Sequence, residues 1–215
     1  MFFLHIRKII CNNLLIMKLL IKTLLFSIAF FHLFFIAKSQ NDSIKNPILI
    51  EISNNSTQLP GSGFLGIFNL PFHPSITIGK KYNFVSKPKH DFFESVKFSY
   101  LNHRLYHNAF QLSSWTGYEY KAMKKFNINA SLGFGYLYSI ISSETFTLNE
   151  NGEYEYKKFY GRSHFTAGLD LNLIYKLQKL DLYFGYKFWV QSPFVNGYVP
   201  VLPYTSITLG SNIYF

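Results

Sequence analysis

From about residue 47 to the C terminus, apolar and polar side chains alternate with a period of two, and no long stretch repeats with a helical period. Such alternation marks strands whose two faces meet different surroundings. The clearest run is 126–138. Phe126, Ile128, Ala130, Leu132, Phe134, Tyr136 and Tyr138 share one face; Asn127, Asn129, Ser131, Gly133, Gly135 and Leu137 share the other. In 164–175, Phe165, Ala167, Leu169, Leu171, Leu173 and Tyr175 oppose His164, Thr166, Gly168, Asp170 and Asn172. In 180–190, Leu180, Leu182, Phe184, Tyr186, Phe188 and Val190 oppose Asp181, Tyr183, Gly185, Lys187 and Trp189. The last run, 205–215, sets Ile207, Leu209, Ile213 and Phe215 against Thr208, Gly210, Asn212 and Tyr214. Weaker strands near 47–54, 74–84, 93–101 and 109–120 bring the expected number to eight.

The connections alternate as well. Those near 85–91, 121–125 and 176–179 are short and lysine-rich, those near 55–73, 142–161 and 192–204 are long, and the one near 102–108 is intermediate. An even strand number with tight turns at one end and long loops at the other describes an all-β, antiparallel, up-and-down transmembrane barrel. Strands of about 9–11 residues cross a bilayer when tilted. A soluble lipocalin-like barrel, a lipid carrier, alternates in the same way but turns its apolar face inward. The polar face separates the two. It is built mainly of Asn, Ser, Thr and Gly, whereas a soluble exterior is about 25–35% charged. Small neutral side chains suit the crowded lumen of an eight-stranded barrel, and the Phe-, Leu- and Tyr-rich face suits lipid.

The alternating Ile207, Leu209, Ile213 and terminal Phe215, interrupted by Ser211, resemble the C-terminal assembly signal of small eight-stranded outer-membrane proteins of Gram-negative bacteria. The resemblance covers 40–215 as architecture and points to no characterised functional family. It implies an outer-membrane location, contact with membrane lipid and lipopolysaccharide, and insertion by the barrel assembly machinery.

The first 39 residues carry five Lys/Arg, no acid, and a long apolar stretch. From Met17, the basic Lys18 and Lys22 precede apolar 24–36, and Ala37-Lys38-Ser39 sets small residues before Gln40. This is the pattern of a cleaved secretory signal, with a retained transmembrane anchor as the competing reading. The expected division is therefore a 1–39 signal, with Met17 a candidate start, and a 40–215 barrel. Cys11, the only cysteine, lies in the signal, which leaves the barrel without a disulfide framework. The formal charge of +10 falls to +5 beyond residue 39, with 16 basic residues against 11 acidic. No basic run suggests a nucleic-acid face.

Candidate chemistry is sparse. An eight-stranded barrel is just wide enough to be filled by its own side chains, so solute conduction is not expected. Glu51, Lys97, Glu119, Asp170 and Lys187 fall on the inward face. Buried charges must pair, and these five are expected to form a structural lumenal network, a proton or cation path being the sharper alternative. His73, His103, Arg104, His107, Arg162 and His164 fall near the long-loop rim. Rim residues that are solvated or hydrogen-bonded to loop carbonyls, a metal site and a phosphate-binding rim for lipopolysaccharide compete there. No metal or cofactor is expected, and no residue is assigned a catalytic role. A lipid A-modifying acyl-transfer enzyme is the alternative function. Two small outer-membrane barrel families do such chemistry, a deacylase and a palmitoyltransferase; the deacylase family carries His-x-Ser-Asn, where this chain has His164-Phe165-Thr166-Ala167, with Thr for Ser and Ala for Asn. The loops at 55–73 and 192–204 are unusually apolar, either packing on each other to cap the barrel mouth or forming a docking surface for a partner or a lipid, and 152–160 alternates charge with aromatics, as an edge open to strand addition would. The reading is an outer-membrane barrel with a structural, adhesive or partner-docking role through its extracellular loops.

Overall fold

The computed structural model describes residues 46–57, 72–103, 107–141, 145–149, 151–157, 161–194 and 199–215. The expected signal at 1–39 lies outside the described residues. Among the described residues there are ten strands: β1 (Ile48–Thr57), β2 (Pro74–Ser86), β3 (His90–His103), β4 (His107–Tyr120), β5 (Phe126–Ile141), β6 (Thr145–Leu148), β7 (Tyr154–Lys157), β8 (Arg162–Lys176), β9 (Leu180–Ser192) and β10 (Leu202–Ile213). Eight of them close a barrel in the order β1-β10-β9-β8-β5-β4-β3-β2, and β6 pairs with β7 as a separate two-stranded sheet. All barrel pairings are antiparallel, and Ile48 against Ile213 joins the first strand to the last.

The faces follow the alternation. Ile76, Ile78, Phe98, Leu112, Leu132, Phe134, Leu169, Leu171 and Phe184 are exposed on the outside, whereas Ser53, Thr77, Ser113, Asn129, Ser131, Thr166 and Asn172 are buried inside. Water would penalise that apolar wall, and lipid would penalise the reverse arrangement by about 2–4 kcal/mol for a charge at mid-bilayer. The inward glycines have a specific use. Phe93 faces Gly117, Trp115 faces Gly133, Trp189 faces Gly168 and Tyr183 faces Gly210 across neighbouring strands. At each glycine a Cβ would run into the facing aromatic residue. The rings of Phe93, Trp115 and Tyr183 thus occupy lumenal space that the facing glycines leave open.

The strands run longer than the alternation alone delimits. β3 reaches His103 and β4 starts at His107, so most of the intermediate connection is strand. Outward Asn102 and Asn108 face each other there, with Asn102 Nδ2 donating to Asn108 Oδ1 at 2.6 Å and Tyr100 OH donating to the same atom at 3.0 Å. The outer faces of β3 and β4 turn polar at this level, where His103 and His107 end the two strands at the extracellular connection. Within 142–161, the β6–β7 hairpin turns through Asn149–Glu153. Asn149 Oδ1 accepts from the amides of Asn151 and Glu153 at 3.0 and 2.8 Å, and Gly152 supplies the left-handed φ of 81°.

Two charged residues interrupt the apolar band. Lys80 and Glu94 have outward register on β2 and β3, and the Glu94 carboxylate accepts the hydroxyls of Ser114 and Thr116, which are also outward.

Candidate functional site

Three layers fill the lumen. Tight turns of such barrels face the periplasm, which sets the direction. Nearest the turns, Lys81 Nζ lies 2.5 Å from Glu119 and Lys176 Nζ lies 3.3 Å from it, while Asn127 Nδ2 also donates to Glu119. Lys81 stands 4.1 Å over the Phe93 ring, and Leu49, Ile174 and Tyr183 form a small apolar cluster. In the middle layer, Lys97 Nζ lies 2.6 Å from Glu51 and 3.4 Å from Asp170, and Lys187 Nζ lies 3.5 Å from Glu51. Tyr183 OH donates to Glu51 at 2.9 Å. Trp115 lies beneath both ammonium groups, at 5.4 and 5.1 Å. The five charges singled out in the sequence therefore fall in two groups. Glu119 belongs to the turn-side group, where its partners are Lys81 and Lys176, which the alternation alone had not singled out.

Cavities of about 20 Å³ flank the middle layer, one lined by Glu51, Lys81 and Asp170 among others and the other by Thr77, Trp115 and Lys187 among others. Each has room for about one water.

The third layer closes the extracellular end. Leu101, Ala109, Leu137, Trp189, Leu202 and Tyr204 form a buried cluster on which Phe194 packs. Trp189 and Tyr204 stack at 4.0 Å, and Trp189 Nε1 donates to Ser206 Oγ at 3.1 Å. Part of the 192–204 loop thus folds down into the mouth, while Val199 and Val201 stay exposed.

The histidines sit in this layer. His73, His103, His107 and His164 are 2–4% exposed, so they line the inside of the mouth rather than a solvated rim. Their inward register explains this, since each belongs to the alternating face that carries the lumen. His73 stacks on His103 at 3.8 Å, and His103 lies 5.6 Å from His107. Burial lowers the pKa of His73. Burial, and then the neighbouring imidazoles, brings His103 and His107 down to about 4. His107 Nε2 is buried without a hydrogen bond among the described residues. His164 is anchored differently, with Nε2 2.7 Å from Ser139 Oγ and Nδ1 2.5 Å from the Pro193 carbonyl. Arg162 opens β8 opposite Ser139, and Arg104 lies outside the described residues. Among the described residues, no three of His, Cys, Asp and Glu are placed to hold a metal ion.

The His164–Thr166 string does not form a nucleophile and base. Both ring nitrogens of His164 are occupied as above, and Thr166 Oγ1 accepts from Gln111 Nε2 at 2.8 Å. At the far end, Leu209 and Phe215 are exposed on the wall and beyond β10, with Ile207 and Ile213 half-buried.

An apolar wall around a polar lumen defines an eight-stranded transmembrane barrel, the fold of the small outer-membrane proteins of Gram-negative bacteria. No family model matches the chain, and no curated protein does. Solved structures do. Neisserial surface protein A aligns at a TM-score of 0.56 and 10% identity over 79% of this chain and 97% of that one. Ail, the attachment invasion locus protein of Yersinia pestis, aligns at 0.46 and 12% over 80% and 98%. The N-terminal barrel domain of Pseudomonas aeruginosa OprF aligns at 0.40 and 9% over 79% and 98%.

Proposed function

We propose that this barrel is a rigid stand for its extracellular connections, and that it docks a protein partner through the β6–β7 hairpin. The observation that carries the reading is that hairpin. It is a two-stranded sheet, so each strand has one edge unpaired among the described residues. Unpaired edges recruit extended segments. Phe146, Tyr154 and Tyr156 are 53%, 78% and 62% exposed beside those edges, and aromatic side chains of this kind dominate interface energetics. The filled lumen supports the same reading, because among the described residues side chains occupy it and leave only cavities of about 20 Å³. The finer context belongs to the proposal too: secretion through the 1–39 signal, assembly guided by Ile207, Leu209, Ile213 and Phe215, and lipopolysaccharide around the upper wall.

The test is a Gram-negative host displaying the full chain, with a photoreactive phenylalanine analogue at Tyr156 or at the lipid-facing Leu171. A protein cross-link from position 156 alone is expected after exposure to serum and extracellular-matrix proteins. It should vanish when 145–157 is replaced by a short Gly-Ser turn, while the barrel keeps its heat-dependent gel shift. Equal cross-linking from both positions, or binding that survives the replacement, overturns the docking role.

A further inference from the structure

The net charge of the barrel is concentrated at one end. Between residues 40 and 215 it is +5. The middle layer is neutral, with Lys97 and Lys187 against Glu51 and Asp170, and on the wall Lys80 balances Glu94. By sequence, the extracellular connections are neutral as well, with Arg104, Lys157, Lys158 and Arg162 against Glu144, Glu150, Glu153 and Glu155. Lys45 and Asp42 cancel before β1. The whole surplus lies at the tight turns.

There, Lys81 and Lys176 pair with Glu119, Lys121 lies 2.7 Å from Asp91, and Asp181 accepts from Tyr214 OH at 2.7 Å. Lys87, Lys89, Lys124, Lys125 and Lys179 are exposed on three turns and form no ion pair among the described residues. A cleft of about 410 Å³ opens between the turns, lined by Lys121, Lys124, Lys176 and Asn127 with Pro88, Ala122 and Met123.

We infer that this end binds the anionic phosphates of phospholipid headgroups in the periplasmic leaflet. Depth and amphipathy favour lipid over a soluble polyanion. The turns are flanked by outward Phe92, Tyr120 and Phe126, which are 40%, 45% and 41% exposed and form an aromatic girdle at the interface. Met123 and Leu177, 69% and 45% exposed, project among the lysines. A headgroup layer takes both, apolar tips toward the acyl chains and ammonium groups toward phosphate. Each lysine near an anionic surface gives roughly a five-fold gain in association.

The experiment reconstitutes the folded full chain in bilayers and measures the association of spin-labelled phosphatidylglycerol relative to phosphatidylcholine. Wild type should prefer the anionic lipid by at least about five-fold, less in high salt. Replacing Lys87, Lys89, Lys124, Lys125 and Lys179 with Gln should abolish the preference, and replacing them with Arg should keep it. The heat-dependent gel shift confirms folding of each variant. No preference in wild type, no salt dependence, or a preference that survives the Gln variant overturns the inference. Inorganic phosphate that displaces the lipid at millimolar concentration overturns it differently, assigning the cleft to a soluble anion.

Discussion

Replacing Lys97 with Met removes the cation that bridges two buried carboxylates. Its Nζ is 2.6 Å from Glu51 and 3.4 Å from Asp170. At an effective dielectric constant of 20, a charge pair near 3.4 Å attracts by about 5 kcal/mol before desolvation. Desolvation of the lysine itself offsets much of that, so the intact network adds little net stability. The variant is another matter, because both carboxylates stay buried while Lys187, 3.5 Å from Glu51, is the remaining cation. Breaking a buried pair from one side costs about 3–5 kcal/mol, and the lost contact with Trp115 adds about 0.5–1 kcal/mol. Adding Glu51→Gln rebalances the layer, with Asp170 against Lys187, and should recover about half of the loss. The assay is guanidinium unfolding in lipid vesicles followed by tryptophan fluorescence, since Trp115 and Trp189 both line the lumen and are buried. A single-variant cost below about 1 kcal/mol, or a double variant whose cost equals the sum of the singles, refutes the account of the middle layer.

The histidine layer predicts an acid response. His103 and His107 have folded pKa values of about 4, below the 6.5 of the free side chain. The unfolded chain therefore binds more protons between these values, and stability falls as pH drops from about 6.5 toward 4. Unfolding midpoints across that range should show the slope, and His103→Gln with His107→Gln should flatten it. Gly133→Ala puts a Cβ into the Trp115 ring, so its unfolding midpoint should fall by the equivalent of about 1–3 kcal/mol; pairing it with Trp115→Leu should relieve most of the loss. Deleting Phe215, 92% exposed beyond β10, should slow appearance of the heat-shifted form in cells and leave refolding from urea into detergent unchanged, as quantitative gels would show.

Much of the wall was readable because lipid and lumen impose opposite demands on alternate residues. Phe126 to Tyr138 could be assigned to faces one by one. The pairing register was not readable, and it decides which inward charges share a level. Glu119 and Glu51 have the same character in the sequence, yet one meets Lys81 and the other Lys97. Lys81 itself was hidden in a run of two lysines, Lys80 and Lys81, pointing to opposite faces. The meeting of His103 and His107 follows from their being directly paired across β3 and β4, a fact their four-residue spacing conceals while the turn is undefined. Glu94 breaks the apolar face outright and is placed by hydroxyls on a neighbouring strand, so β3 alone gives no sign of its partners.

The joining of β1 to β10 sets the order of events during assembly. Six of the other seven seams join strands that follow one another along the chain, and the seventh joins β5 to β8 across the β6–β7 hairpin. Those seams can form progressively, each closing a loop much shorter than the barrel sequence. The last requires Ile48 to find Ile213, almost the full length of the barrel sequence away, and loop closure on that scale is entropically slow. Until it happens, two raw strand edges face hydrocarbon, which cannot hydrogen-bond to them. The chain must therefore keep both edges sheltered until its final strand is in place, and any truncation that removes β10 leaves the edge of β1 exposed for good.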